Sequence, residues 1–291
     1  MKKILLTGAS GFVGSHLIRL APADVLLYAQ CRHHEPLGNL PAGQIFQLDL
    51  QQPDWRLIRE LRPDVIIHTA AMPSILACEQ QPELAEQVNT TATIQLTDLA
   101  REIGARLIYT NTDLIYDGQQ GNYDETAAAN PLNVYARTKY RAEQYLLEHH
   151  ENAVSVRCAL VYGKALHRTP TFTEQMIARL RRGESVNLFT DEYRTPLLVD
   201  DLAAALWELA GNDYCGPLNL GGSEKLSRYS MGAVICEVLG LPHHLLVAKS
   251  TAEVDLPAPR PPDCSLDTTL ARRVLCARLH GFTEGVARVF G

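Results

Sequence analysis

The sequence predicts an α/β protein built on a doubly wound parallel sheet, with a smaller C-terminal α/β cap. Three observations carry that expectation. Short apolar runs without strict alternation recur between stretches of helical periodicity in the first half of the chain, as expected for strands covered on both faces. A glycine triplet, Gly8, Gly11 and Gly14, lies between the first apolar run and the first helical stretch. After residue 163 the pattern changes to helices interleaved with shorter strands.

Taken in order, residues 3–7 (Lys-Ile-Leu-Leu-Thr) predict a buried strand and residues 12–20 a helix. A second strand is expected at 24–29, a third at 44–48 and a fourth at 64–69. Long helical periodicity covers 82–103, followed by a fifth strand at 105–110, a helix at 132–148 and a sixth strand at 153–157. Right-handed crossovers then generate the doubly wound arrangement. In the second half, helices are expected at 171–182, 201–210, 229–239 and 267–275. Short strands are expected near 186–189, 195–199 and 217–220, and prolines cluster at 257–262.

The chain has 291 residues, 46% of them hydrophobic and 21% charged, enough for a large core without a disulfide or metal staple. The formal net charge of -6 argues against a nucleic-acid partner, which requires a basic face. Cysteines fall at 31, 78, 158, 215, 236, 264 and 276, with no C-x-x-C pair. They are expected as free thiols, buried as small apolar residues, in a reducing cytoplasm. The apolar stretch after Met1 is too short for a signal peptide, and no run of about 18 apolar residues suggests a membrane span.

The glycine loop, Thr7 to Gly14, follows a strand and opens a helix. There, the absence of side chains admits a pyrophosphate to free helix N–H groups and the positive end of the helix dipole. A third glycine lets the helix pack closely on the strand. A ligand-free tight turn is the bland alternative; the β-α-β context favours a dinucleotide. The expected contacts are Gly8, Ser10, Gly11, Phe12, Val13 and Gly14. Residues 1–163 are therefore expected as the dinucleotide-binding domain, with segments around 190–220 returning to it, and 164–291 mainly as a substrate cap.

The second strand ends Ala29-Gln30-Cys31-Arg32-His33, without the acid that would bond the 2′-hydroxyl of NAD. Arg32 suits a 2′-phosphate instead, so NADP(H) is favoured over NAD(H). Asp49 is expected either to accept a bond from the adenine amino group or to organise a turn.

Tyr135 and Lys139 lie four residues apart on the helix after the fifth strand and so share a face. An ammonium beside a phenol is expected to favour the phenolate and lower the tyrosine pKa toward working pH. Thr112, at the carboxyl edge of the fifth strand, is placed to bond a substrate carbonyl, its alternative being a turn residue.

Thr7–Gly14, His68-Thr-Ala-Ala71, Asn89, Asn111–Gly118 and Tyr135-x-x-x-Lys139 together resemble the extended short-chain dehydrogenase/reductases, a Rossmann-fold family. Within them the chain is most similar to the dTDP-4-dehydrorhamnose reductase group. Thr112-Asp113 with Tyr116-Asp117-Gly118, and then Pro131-x-Asn133-x-Tyr135, are the more specific part. Further matches are Arg157 with Val161-Tyr162-Gly163, Val199–Ala203, Leu226–Tyr229 and Arg260–Asp267. The resemblance implies an oxidoreductase in which NADPH delivers hydride to a keto carbon of a nucleotide-linked sugar. In it Tyr135 donates the proton, Lys139 tunes it and holds the nicotinamide ribose, and Thr112 orients the carbonyl. Ala70, Ala71 and Met72 would line the cofactor's path, and Leu50 and Thr110 complete the expected cofactor set. Asn89 would sit behind the site positioning a water, or serve as a buried amide bonded to its helix. Two features depart from the group: Asn111 stands where a serine is usual, and the loop after His68 lacks the usual tyrosine and acid.

Arg194 and Arg260 are candidates for gripping a substrate pyrophosphate, with surface ion pairs as the alternative. The histidine pairs at 33–34, 149–150 and 243–244 lack metal-ligand spacing and are expected at the surface, so no metal is expected. Ser10 and Ser15 are not flanked as nucleophiles. Expected partners are a nucleotide sugar, no nucleic acid and no membrane; a homodimer is compatible with the sequence. Two other functions use the same parts: a nucleotide-sugar epimerase or dehydratase with retained NAD, and a non-catalytic regulatory subunit like the β subunit of methionine adenosyltransferase.

Overall fold

The computed structural model describes residues 1–34, 40–166 and 169–291. Seven strands form the central sheet: β1 (Lys2–Thr7), β2 (Val25–Cys31), β3 (Ile45–Gln47), β4 (Val65–His68), β5 (Arg106–Thr112), β6 (Ala153–Cys158) and β7 (Gly216–Leu220). Their order is β7-β6-β5-β4-β1-β2-β3, and every neighbouring pair is parallel. The winding reverses direction at β1. A crevice therefore opens above the carboxyl ends of β1 and β4, where such sheets bind ligands.

Side-chain alternation along β1 builds two core layers. Ile4 and Leu6 meet Leu17 of the Phe12–Arg19 helix and Leu202 and Leu206 of the Val199–Leu209 helix. Leu5 faces the opposite way, toward Ile66, Leu96, Leu99 and Leu146. Burying each such side chain contributes about 1.5–3 kcal/mol, so a charge at any of them would open a layer. A separate apolar cluster holds the C-terminal elements together through Met176, Leu198, Met231, Ile235 and Phe282.

Several expectations shift. The 82–103 helix is interrupted by a wider π turn at Glu86–Thr91, with consequences for Asn89 below. The strand expected at 195–199 is broken into Tyr193–Arg194 and Leu197–Leu198, because Pro196 offers no N–H to a ladder. The 217–220 segment pairs in parallel with β6 as the edge strand β7 of the main sheet. The helix Phe282–Phe290 was not anticipated, because Gly285 reads as a breaker. Gly285 is required there because a Cβ would collide with the Tyr162 hydroxyl. Leu246–Lys249 adds an unexpected parallel strand beside Val186–Phe189. His150 is buried rather than superficial, its Nε2 2.9 Å from the Ala105 carbonyl. Cys215 and Cys276 are exposed, against expectation; the other five cysteines are buried.

Candidate active site

A cleft of about 1040 Å³ runs from the glycine loop across the carboxyl ends of the sheet to the C-terminal cap. Gly8 adopts φ +71°, and a Cβ on it would lie 2.7 Å from the Ala70 nitrogen, so only glycine fits between β1 and β4. Gly14 packs on Ala9, where a Cβ would come within 2.8 Å of its Cα. Gly11 is the N-cap of the Phe12–Arg19 helix and brings no side chain to it, so the positive end of the helix dipole faces this end of the cleft. Ser10, Phe12 and Val13 line the same end of the cleft.

Gln30, not singled out from the sequence, holds this loop. Its Oε1 accepts the Gly8 N–H at 2.9 Å and its Nε2 donates to the Leu48 carbonyl at 2.6 Å. It thus ties the glycine loop to the end of β3. Arg32 and Asp49 both line the cleft, with Leu50 beside them. Arg32 Nε lies 3.3 Å from Asp49 Oδ2, and Asp49 Oδ1 accepts the Gln51 N–H at 3.0 Å. Asp49 is therefore a turn organiser that also orients Arg32.

A buried polar chain supports β4. Thr93 Oγ1 donates to the Asn89 carbonyl at 2.8 Å, so His68 Nε2, 3.0 Å away, is the donor to Thr93. His68 Nδ1 is then the acceptor, taking the Thr7 hydroxyl proton at 2.6 Å. Burial, followed by the Lys139 charge, lowers the His68 pKa to about 3, so the ring stays neutral. Asn89 does not line the cleft, which corrects its assignment as a cofactor contact. The π turn aims its carboxamide at Met72: Oδ1 accepts the Met72 N–H at 2.8 Å, and Nδ2 donates to the Met72 carbonyl at 3.2 Å. Nδ2 also reaches Thr138 Oγ1 at 3.1 Å, between Tyr135 and Lys139 in sequence. Asn89 thereby fixes the Ala70–Met72 wall of the cleft relative to the helix bearing Tyr135 and Lys139.

That helix, Val134–His149, starts at Asn133, whose Oδ1 accepts the Ala136 N–H at 2.9 Å, while Glu79 accepts the Val134 N–H at 2.8 Å. Tyr135 and Lys139 project into the cleft with Thr110 and Thr112 from β5. Burial dominates at Tyr135 and, with the Asp113 charge, pushes the phenol well above its ordinary pKa. This reverses the expected lowering by Lys139. Lys139 is itself buried, with Nζ 4.1 Å from the Tyr109 ring centre, and burial brings its pKa down to about 7. The phenol is thus held protonated, as a proton donor requires.

On the cap side, three arginines converge on Glu192, which is 1% exposed. Arg228 Nε lies 2.9 Å from Oε1, Arg260 3.4 Å from Oε2 and Arg194 3.6 Å from Oε1. Burial works against the carboxylate, yet the guanidiniums hold Glu192 below the usual range. Arg194 lines the cleft but is spent on structure: its NH1 donates to the Tyr193 carbonyl at 2.6 Å and its NH2 to the Pro261 carbonyl at 3.2 Å. Arg260 and Arg228 are the more accessible members, with side chains 36% and 20% exposed. In the sequence Arg228 stands out only within the Leu226–Tyr229 match. Its relation to Glu192, 36 residues away, gives no local signal.

The family model of the RmlD substrate binding domain matches residues 1–291. The chain belongs to that family. The dTDP-4-dehydrorhamnose reductase of Escherichia coli (strain K12) is 30% identical over 305 residues, spanning 98% of this chain and 96% of that protein. The methionine adenosyltransferase 2 subunit beta of Mus musculus is 28% identical, spanning 98% of this chain and 86% of its own length. Among solved structures, the dTDP-4-dehydrorhamnose reductase of Bacillus anthracis in complex with NADP superposes with a TM-score of 0.88 at 25% identity, covering 100% of this chain and 99% of that one.

Within this RmlD-type chain, Asn111 faces inward as well as toward the cleft. Its Nδ2 donates to Glu143 Oε2 at 2.7 Å, and Glu143 also takes Arg157 NH2 at 2.7 Å and the Ser155 hydroxyl at 2.6 Å. Arg157 continues to the Tyr116 hydroxyl at 2.7 Å. This network anchors the underside of the helix carrying Lys139, and accounts for an amide at position 111.

Proposed function

We propose that this protein binds NADP(H) in the cleft and reduces a keto group on a nucleotide-linked sugar, as a member of the extended short-chain dehydrogenase class. The observation that carries this reading is the convergence of Tyr135, Lys139 and Thr112 on the cleft that begins at the glycine loop. The N-terminal end of the Phe12–Arg19 helix and the Gly8 approach fit a pyrophosphate, and Arg32 fits a 2′-phosphate better than a bare hydroxyl.

When bound, the reduced nicotinamide supplies the hydride that adds to the carbonyl carbon. Thr112 orients the carbonyl oxygen, and Tyr135 gives its proton to that oxygen, completing the alcohol. Lys139 lies on the same helix face as Tyr135, where an ammonium offsets the charge left on the phenolate and can hold ribose hydroxyls. Arg228 and Arg260 offer guanidinium forks to the diphosphate. The reading also divides the chain into a nucleotide-binding part, residues 1–163 with a return at about 190–220, and a cap within 164–291. The cap's own apolar cluster and the place of β7 in the main sheet support this division. Among the described residues, no helix is long and apolar enough to cross a membrane.

The test is turnover of a panel of nucleotide-linked keto sugars with NADPH, followed by loss of reduced-nicotinamide absorbance. Stoichiometric NADPH consumption with alcohol formation is expected. Sugar conversion at constant absorbance would instead mark an epimerase or dehydratase. Absence of turnover together with a stoichiometric protein partner would mark a regulatory subunit.

A further inference from the structure

To orient a carbonyl, Thr112 needs its one hydroxyl proton, and that proton is drawn away while Asp113 is ionised. Thr112 Oγ1 donates to Asp113 Oδ1 at 3.1 Å and accepts the Leu114 N–H at 3.2 Å. A hydroxyl has a single proton, and an ionised carboxylate can only accept. While Asp113 is charged, Thr112 has nothing left to donate to a substrate oxygen.

Asp113 is built differently from a surface turn residue. It is 4% exposed, it lines the cleft, and its Oδ2 is buried without a hydrogen-bond partner among the described residues, 3.5 Å from Arg194 Nε. The groups around it come from every neighbouring element. They are Arg194 and Glu192 on the cap, Arg228 at the start of the Arg228–Leu239 helix, Tyr135, Cys158 at the end of β6, and Cys264. Arg194 and Arg228 favour the carboxylate, Glu192 opposes it, and burial opposes it more strongly.

We propose that Asp113 is a positioning residue: as a neutral acid it donates to Thr112 Oγ1 and turns the Thr112 proton toward the substrate carbonyl, and as a carboxylate it withdraws that proton. This rests on the reductase reading above. Burial pushes the Asp113 carboxyl up to about 6, against Arg194 and Thr112, so both forms are populated near neutral pH. No proton is consumed in the exchange. The acid proton moves into the bond to Thr112, and Tyr135 remains the donor to the alcohol.

The experiment compares kcat/KM against pH for wild type and Asp113→Asn, with NADPH and a keto sugar that is turned over. Lys139, brought down to about 7, contributes a second alkaline ionisation. Wild type should therefore fall about 100-fold per pH unit beyond both ionisations, and Asp113→Asn about tenfold, since its amide donates at every pH. A one-proton fall in wild type, or a two-proton fall retained in the variant, overturns the proposal. A second measurement needs no turnover: the infrared carbonyl band of a buried protonated carboxyl, followed through pH in wild type and Thr112→Val. A titrating band that moves in Thr112→Val supports the proposal, and an absent or unmoved band overturns it. Should no keto sugar be reduced, the functional reading fails separately and the infrared result alone decides the role of Asp113.

Discussion

Asn89 clasps Met72 from both sides of its peptide, accepting the N–H at 2.8 Å and donating to the carbonyl at 3.2 Å. One side chain thus sets the wall of the cofactor cleft against the helix that carries Tyr135. Asn89→Ala leaves two backbone groups without their partner, which costs about 1–3 kcal/mol. The expected result is a lower denaturant midpoint and a raised KM for NADPH. An unchanged KM would show that the Met72 wall does not depend on this amide.

Tyr135→Phe removes the proton donor but little volume. NADPH binding, read by nucleotide fluorescence, should stay within a few fold of wild type. Turnover should fall about 10²–10⁴-fold, the usual contribution of a positioned general acid. Full activity in this variant would exclude Tyr135 from the chemistry.

Arg32 and Asp49 predict opposite effects on one ligand. Arg32→Ala should weaken NADPH by about 10–100-fold, the range of a charge-assisted bond, and NADH much less. Asp49→Asn keeps the acceptor for the Gln51 N–H but removes the charge competing for Arg32, so NADPH should bind more tightly. Titrating both cofactors against both variants checks the signs.

Lys139 predicts a pH dependence of stability. In the unfolded chain its ammonium persists to about 10.5, whereas burial brings the folded value to about 7. Between these values the unfolded state holds more protons, so the stability of the cofactor-free protein gains with rising pH across that window. Below it the full cost of the buried charge stands. Lys139→Met should therefore be more stable than wild type in mildly acidic buffer, with the difference shrinking as pH rises. Turnover should be lost. Denaturant midpoints on both sides of pH 7 decide it.

Much of the site was legible because its signals are local. Gly8, Gly11 and Gly14 occur within a single strand-to-helix turn, and Tyr135 and Lys139 within a single turn of helix. Arg32 is readable as the residue standing where an acid would bind NAD. The rest depends on partners far apart in the chain. Gln30 could have been noticed only as a polar residue at the end of an otherwise apolar strand. The role of Asn89 required the π turn and Met72, 17 residues away. Asn111 required Glu143 and Arg157, which meet only when the sheet and its helix are packed.

The sequence by itself determined the alternation of strands and helices, the phosphate-binding turn and the spacing of phenol and ammonium, because backbone sterics and periodicity act between near neighbours. Tertiary structure alone decided the protonation of that phenol, the neutrality of His68, the sequestering of Arg194 and the grip of Asp113 on Thr112. These follow from desolvation and from charges brought together across the sheet and cap, and neither exists until the chain has folded.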